Sequence, residues 1–370
     1  MTFSDREMEQ TRSTNLPEVI ALLERLVAFD TQNPPRHVDS GGIFAFLVEA
    51  LGPSFQCTIE DLGEGCVSLL AVRGAPKLLF NVHMDTVPAP PGQVAHPFAL
   101  RVEGDRAIGL GACDIKGAAA CLITAAHRAS EADVAILFTS DEEAGSSRCI
   151  RSFLAKPHGF TAVVVAEPTR CRAVLEHRGI ATSSATFWGV PGHGSAARAL
   201  EDSALHEAVR WATRALAFAE ERTLRRHKNL EGIRFNLGTL NGGTKANVIA
   251  AEATLRFGVR PLPGESGLEL LEDLARLAPH PDRATFTPGF LAPSLPAPGH
   301  KPAQALAIEL GLKQGPAVDF WTEAALFSEA GIPVLVYGPG DIAQAHSEGE
   351  WVALAELAEA AATYERIFSR

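Results

Sequence analysis

The six cysteines of this sequence (Cys57, Cys66, Cys113, Cys121, Cys149 and Cys171) include no C-x-x-C pair, which excludes a zinc ribbon and a dithiol redox motif. Reduced, mostly buried thiols are expected instead. No apolar run comes near the ~18 residues that a membrane span requires. The segment from Met1 to Asn15 is polar and acidic and lacks a positive patch leading into an apolar stretch, so no secretory signal is expected and a cytoplasmic location follows. Positive charge is also scarce: 33 Lys and Arg face 44 Asp and Glu, for a formal net charge of -11. Nucleic acid, which needs a clustered basic surface to neutralise phosphates, is therefore excluded as a partner. Internal repeats and low-complexity tracts are missing as well.

What is present is the raw material of a globular enzyme. Hydrophobic residues make up 46% and charged residues 21% of the 370, an ordinary globular balance, and that length suits two domains. Apolar residues at helical spacing (Val19, Leu22, Leu23, Leu26, Val27) predict a helix over about 17–29, ended by Asn33-Pro34-Pro35. Four short, nearly unbroken apolar runs at 78–82, 134–138, 162–166 and 334–337 read as strands buried on both faces. With a helix at 117–129 between two of them, they predict an open α/β sheet whose ligands bind beyond the strands' carboxyl ends.

The middle third has a different order. A strand at 180–188, a helix at about 199–220, strands at 233–240 and 247–259, a helix near 265–277 and a strand at 284–287 spell β-α-β-β-α-β. That is the split βαβ, ferredoxin-like motif, read here as an inserted domain over 179–290. A proline-rich loop, 288–302, returns the chain to the first domain, and a last helix is expected over 350–368.

Acidic or imidazole groups follow the strands of the first domain: His83-Met84-Asp85, Asp141-Glu142-Glu143 and Glu167. Two more candidates, Asp114 in GLGACDIKG and His346 in GPGDIAQAHSEGE, sit on glycine-rich loops reachable from the same sheet edge. Any one of them would pass for a solvated loop residue. Several carboxylates drawn together without Lys or Arg would repel one another, however, and a shared cation is the natural compensation. Nitrogen and carboxylate donors without thiolate suit Zn²⁺, Co²⁺ or Mn²⁺. Asp85, two residues past His83 on an extended strand end, points the same way and suits a partner for the His83 ring, although it could instead cap the turn Thr86-Val87-Pro88. Glu142 and Glu143 are adjacent and diverge, so only one of them is readily a direct ligand.

The motifs HMDTVP (83–88), GLGACDIKG (109–117), SDEEAG (140–145), AEPT (166–169), PGHGS (191–195) and AHSE (345–348) together resemble the M20 metallopeptidase family, over nearly the whole chain. The resemblance implies a mixed-sheet, zinc-peptidase-like α/β catalytic domain (1–178 plus 291–370) and an inserted ferredoxin-like α+β lid and dimerisation domain (179–290). It implies one or two Zn²⁺ or Co²⁺ ions per subunit. Asp114 would bridge them, with His83 and Glu167 on one ion and Glu143 and His346 on the other.

The same resemblance makes Asp85 the partner of the His83 ring, Glu142 the general base and His193 a donor to the tetrahedral oxyanion, often from a partner subunit's lid. Arg260 would grip a substrate α-carboxylate through a bidentate fork, and Asn247 would also contact substrate, with stabilisation of its own turn as the competing role. The members most similar in motif act on N-acetylated amino acids of arginine biosynthesis, N-acetyl-L-citrulline or N-acetyl-L-ornithine. Desuccinylation of an acyl-diaminopimelate and exopeptidase action on a dipeptide use the same metals, and a silent metal-binding scaffold is the alternative from outside enzymology. Two departures stand out: Trp321 precedes Thr322-Glu323 where a smaller residue is common, and Glu348 follows His346 closely where the family varies. Either could retune recognition of the substrate side chain.

Overall fold

A computed structural model describes residues 3–89 and 96–370, with side chains from Asn15 onward, so most of the polar segment Met1–Asn15 lies outside the described side chains. The chain divides into two compact units: Met1–Leu175 with Pro302–Gly315 and Thr322–Arg370, and Glu176–Lys301 with Pro316–Trp321.

The first unit is built on a six-stranded mixed sheet. Its strands are β1 (Gln56–Asp61), β2 (Val67–Arg73), β3 (Leu78–His83), β4 (Val134–Thr139), β5 (Ala162–Val165) and β6 (Val334–Val336), in the spatial order β1-β2-β4-β3-β5-β6. The β4, β3, β5 and β6 neighbours run parallel, while β1 and β2 form an antiparallel border. The parallel strands are buried almost throughout, in keeping with their unbroken apolar runs, and they end together. His83 pairs with Thr139 in register, so the residues after both strands emerge at one edge.

Helices α1 (Phe3–Val27), α2 (Lys116–Arg128) and α3 (Leu354–Phe368) pack against one another. Small residues line α2 and permit close approach: a Cβ on Gly117 would meet Leu357 Cδ2 of α3 at 3.2 Å. Helix α1 starts well before the expected 17. The expected start of the last helix at Glu350 is corrected, because Trp351–Ala353 forms a strand paired with Arg106–Ile108 and α3 begins at Leu354. A tertiary pairing there overrides local helix preference.

The second unit holds a four-stranded antiparallel sheet in the order Arg234–Gly242, Glu252–Arg260, Ile180–Trp188, Ala284–Ala292. Helices Ala204–Glu220 and Gly267–Ala275 cover one face, so burial alternates along the two central strands. In sequence numbering of the four strands, that order is 4-1-3-2, the ferredoxin-like arrangement. Trp211, fully buried, anchors the core against Phe187, Phe257 and Phe286 and donates its indole N–H to the Leu274 carbonyl at 2.8 Å.

The expected single strand at 247–259 is corrected. Val248–Ile249 pairs instead with Gly192–His193, and the sheet strand runs from Glu252 to Arg260. The adjacent apolar pair breaks the period-2 alternation that begins at Ala253, and that break marks the end of the sheet strand.

None of the six cysteines forms a disulfide; five are buried and Cys57 is half-buried. Among the described residues, no helix is long and apolar enough to cross a membrane.

Candidate metal centre and active site

His83 closes β3 and is nearly inaccessible, as is Asp114 on the turn entering α2. His83 Nε2 lies 3.0 Å from Asp114 Oδ1 and 3.8 Å from Glu167 Oε1. On the other side His346 Nε2 lies 2.7 Å from Glu143 Oε1 and 3.2 Å from Asp114 Oδ2. Two donor groups result, His83–Asp114–Glu167 and Asp114–Glu143–His346, each with its ligand atoms within 4.8 Å of one another, and Asp114 belongs to both. These five side chains are the candidate ligands the sequence offers, and the fold brings their donor atoms together.

Nδ1 of His83 is 3.0 Å from the Asp85 carbonyl oxygen and 3.4 Å from its carboxylate. Asp85 is fully buried, and its other oxygen accepts the Glu143 amide at 2.9 Å. One residue therefore orients a member of each donor group. Asp141 is not among the donors; its Oδ2 accepts from Ser146 Oγ and from the amides of Arg148 and Cys149, pinning the turn that presents Glu142 and Glu143. Glu142 belongs to neither donor group.

Electrostatics decide whether this set fits a cation. Burial, then the Glu143 charge, lifts the Glu142 carboxyl well above its ordinary range, and burial with Asp114 and Glu143 nearby does the same to Glu167. Burial alone would depress the His83 imidazole, but hydrogen bonds to Asp114 and Asp85 carry it well above 6.5. Hydrogen bonds to Asp114 and Glu143 take His346 to about 10. Glu142, Glu143 and Glu167 are thus pushed towards the protonated form while, against burial, hydrogen bonds from His346 and His83 hold the Asp114 carboxyl down, and among the described residues the cationic partners within ion-pair distance of Asp114, Glu143 and Glu167 are these two imidazoles. Divalent cations would relieve that excess of negative charge, and the oxygen and nitrogen donors suit Zn²⁺ or Co²⁺.

The remaining candidates lie in the second unit. His193 is exposed, with Nδ1 2.7 Å from Ser195 Oγ and accepting the Ser195 amide, so Nε2 carries the proton in the neutral ring. Arg260 ends its strand half-buried, and Asn247 is exposed with its carbonyl accepting from Gly194 N–H at 2.8 Å. Trp321 is buried in the same unit and donates to the Pro293 carbonyl at 3.0 Å, against the rings of His177 and Phe290.

Two buried carboxylates carry no role of their own in the sequence reading, although Glu323 lies in the Thr322-Glu323 pair it names. Glu323 is buried, accepts from Thr139 Oγ1 at 3.2 Å and is pushed to about 8, chiefly by burial. Glu350 is buried against the Asp114 loop. An acid four residues past a candidate ligand and directly before an aromatic strand was the available signal.

The profile of peptidase family M20/M25/M40 matches residues 79–370. The chain belongs to the M20 peptidase family. It is 49% identical to the N-acetyl-L-citrulline deacetylase of Xanthomonas campestris pv. campestris, with 96% of this chain and 98% of that protein covered. The acetylornithine deacetylase of Proteus mirabilis is 31% identical, covering 92% and 93% of the two chains. An aminopeptidase from Bacillus cereus shares this M20 fold, with a TM-score of 0.71 at 18% identity over 96% of this chain and 98% of that one. So does a dinuclear metal-binding M20 peptidase from Bacillus subtilis, with a TM-score of 0.64 at 17% identity over 96% and 98%.

Proposed function

We propose that this M20 enzyme is a metal-dependent amidohydrolase that removes the acetyl group from N-acetyl-L-citrulline, serving arginine biosynthesis in the cytoplasm. The observation that carries the reading is Asp114 shared between two donor groups, with Glu142 beside both and committed to neither. Near full-length similarity to a protein named for this substrate supports the choice among N-acyl amino acids. N-acetyl-L-ornithine is the second candidate, on the acetylornithine deacetylases at 31% identity.

In this reading His83, Asp114, Glu167, Glu143 and His346 would hold one or two Zn²⁺ or Co²⁺ ions per subunit. When bound, such a pair polarises the scissile carbonyl and lowers the pKa of a water towards ~7. Asp85 holds the His83 ring in one orientation. Glu142 takes the proton of the attacking water and delivers it to the amide nitrogen, which must leave protonated. His193 donates Nε2–H to the oxyanion, and Arg260 pairs with the α-carboxylate, with Asn247 a lesser substrate contact.

The second unit is read as the lid and the dimerisation domain. Its strand Arg234–Gly242 is a sheet edge, paired on one side only and exposed along most of its length, which suits pairing with a second copy. Sedimentation of the purified enzyme tests this, and a monomer at all concentrations would sink it.

The substrate reading is tested by free-amine release from N-acetyl-L-citrulline, N-acetyl-L-ornithine, N-succinyl-diaminopimelate and a dipeptide, with enzyme of measured metal content. The highest kcat/KM is expected for N-acetyl-L-citrulline. A higher value for any other member of the panel overturns the assignment.

A further inference from the structure

We propose that Glu350 is a positioning residue: it fixes the backbone that presents Asp114 and ties that loop to the one carrying His346. The proposal rests on the metal reading above. The loop 109–114 leaves regular structure before α2, with Gly111 at φ +77, and its amides need acceptors. Glu350 supplies them. Its Oε1 accepts from the amides of Cys113 at 2.9 Å and Asp114 at 2.8 Å, and Oε2 accepts from Gly111 at 2.8 Å. Its own carbonyl takes the Gly109 amide at 3.0 Å, and the next residue, Trp351, is in register with Ile108.

Four donors from one short loop thus converge on a single residue that is 3% exposed. Three backbone amides held by the two oxygens of one buried carboxyl group leave the loop little freedom. The consequence reaches the site through geometry. Asp114 must offer one oxygen to each donor group, which demands a fixed backbone beneath it, and His346 stands four residues before Glu350 on the same connection. Glu350 itself is in neither group. Glutamine would keep one acceptor oxygen and turn an NH₂ against N–H donors; aspartate would keep the charge but fall one methylene short.

The test is Glu350→Gln titrated with Co²⁺ alone in competition with a chelator, followed by visible absorption, beside thermal unfolding of the metal-free chain. The expected result is Co²⁺ affinity weakened by about 10- to 100-fold with an altered absorption envelope, and occupancy regained at excess Co²⁺. A purely structural role would lower only the metal-free unfolding midpoint and leave Co²⁺ affinity at the wild-type value, which overturns the proposal. If the Gln variant does not fold, Glu350→Asp carries the same comparison: weakened affinity supports the proposal, and wild-type affinity overturns it. Failure of the wild type to bind Co²⁺ would instead overturn the metal reading, and this proposal with it.

Discussion

Asp114 turns Oδ2 to His346 at 3.2 Å while its other oxygen is taken up by His83 at 3.0 Å. A side chain divided in this way cannot be lost from one donor group alone. Asp114→Ala should therefore empty both groups of divalent metal, whereas His346→Ala should empty only one. Elemental analysis of the gel-filtered variants reads the difference, and equal losses in the two would refute the sharing.

Glu142 lies outside both donor groups, so its removal should separate chemistry from metal retention. Glu142→Gln is expected to lower turnover by at least ~10²-fold, the usual contribution of a positioned base. Its bound metal should match the wild type. Near-wild-type amine release from this variant would remove Glu142 from the mechanism.

Because the Ser195 amide and hydroxyl both face Nδ1 of His193, the proton of the neutral ring is on Nε2, the form able to donate to a developing oxyanion. His193→Ala should reduce kcat by roughly 10²–10³-fold, the cost of one oxyanion donor, with metal content unchanged. A variant that raises KM and spares kcat would assign His193 to ground-state binding instead.

How much of this could be read in the amino-acid order differs by element. The parallel strands are legible because burial on both faces leaves unbroken apolar runs, and His83, Glu143 and Glu167 stand out as candidate donors because they follow those strands, whereas Asp114 and His346 sit on glycine-rich loops. The inserted unit showed itself through its β-α-β-β-α-β order. Glu350 was hidden because its partners are backbone amides of residues 111–114, far away in sequence, and amides carry no side-chain signature. Val248–Ile249 was misplaced for a related reason: its partner, Gly192–His193, is a non-local two-residue ribbon too short to leave a pattern.

Acid should weaken the fold through His177. Burial, with the Arg260 charge acting in the same sense, brings its pKa down to about 4, while the ring stays neutral beside the Arg178 carbonyl at 2.8 Å. In the unfolded chain the imidazole takes up its proton near pH 6.5. The contribution is thus complete above that pH and is lost as pH falls towards about 4, amounting to roughly 3 kcal/mol at most. Denaturant unfolding between pH 7 and 4 should show a shallower pH slope for His177→Phe than for the wild type; identical slopes would rule His177 out as the source.

The five candidate ligands all belong to the first unit, whereas His193, Asn247 and Arg260 belong to the second. Two kinds of inherited change are thereby uncoupled. On the proposed function, substitutions at Asn247 and Arg260 would redraw which amino acids are accepted and leave the candidate metal donors of the first unit untouched, so a new diet could evolve around an old metal set.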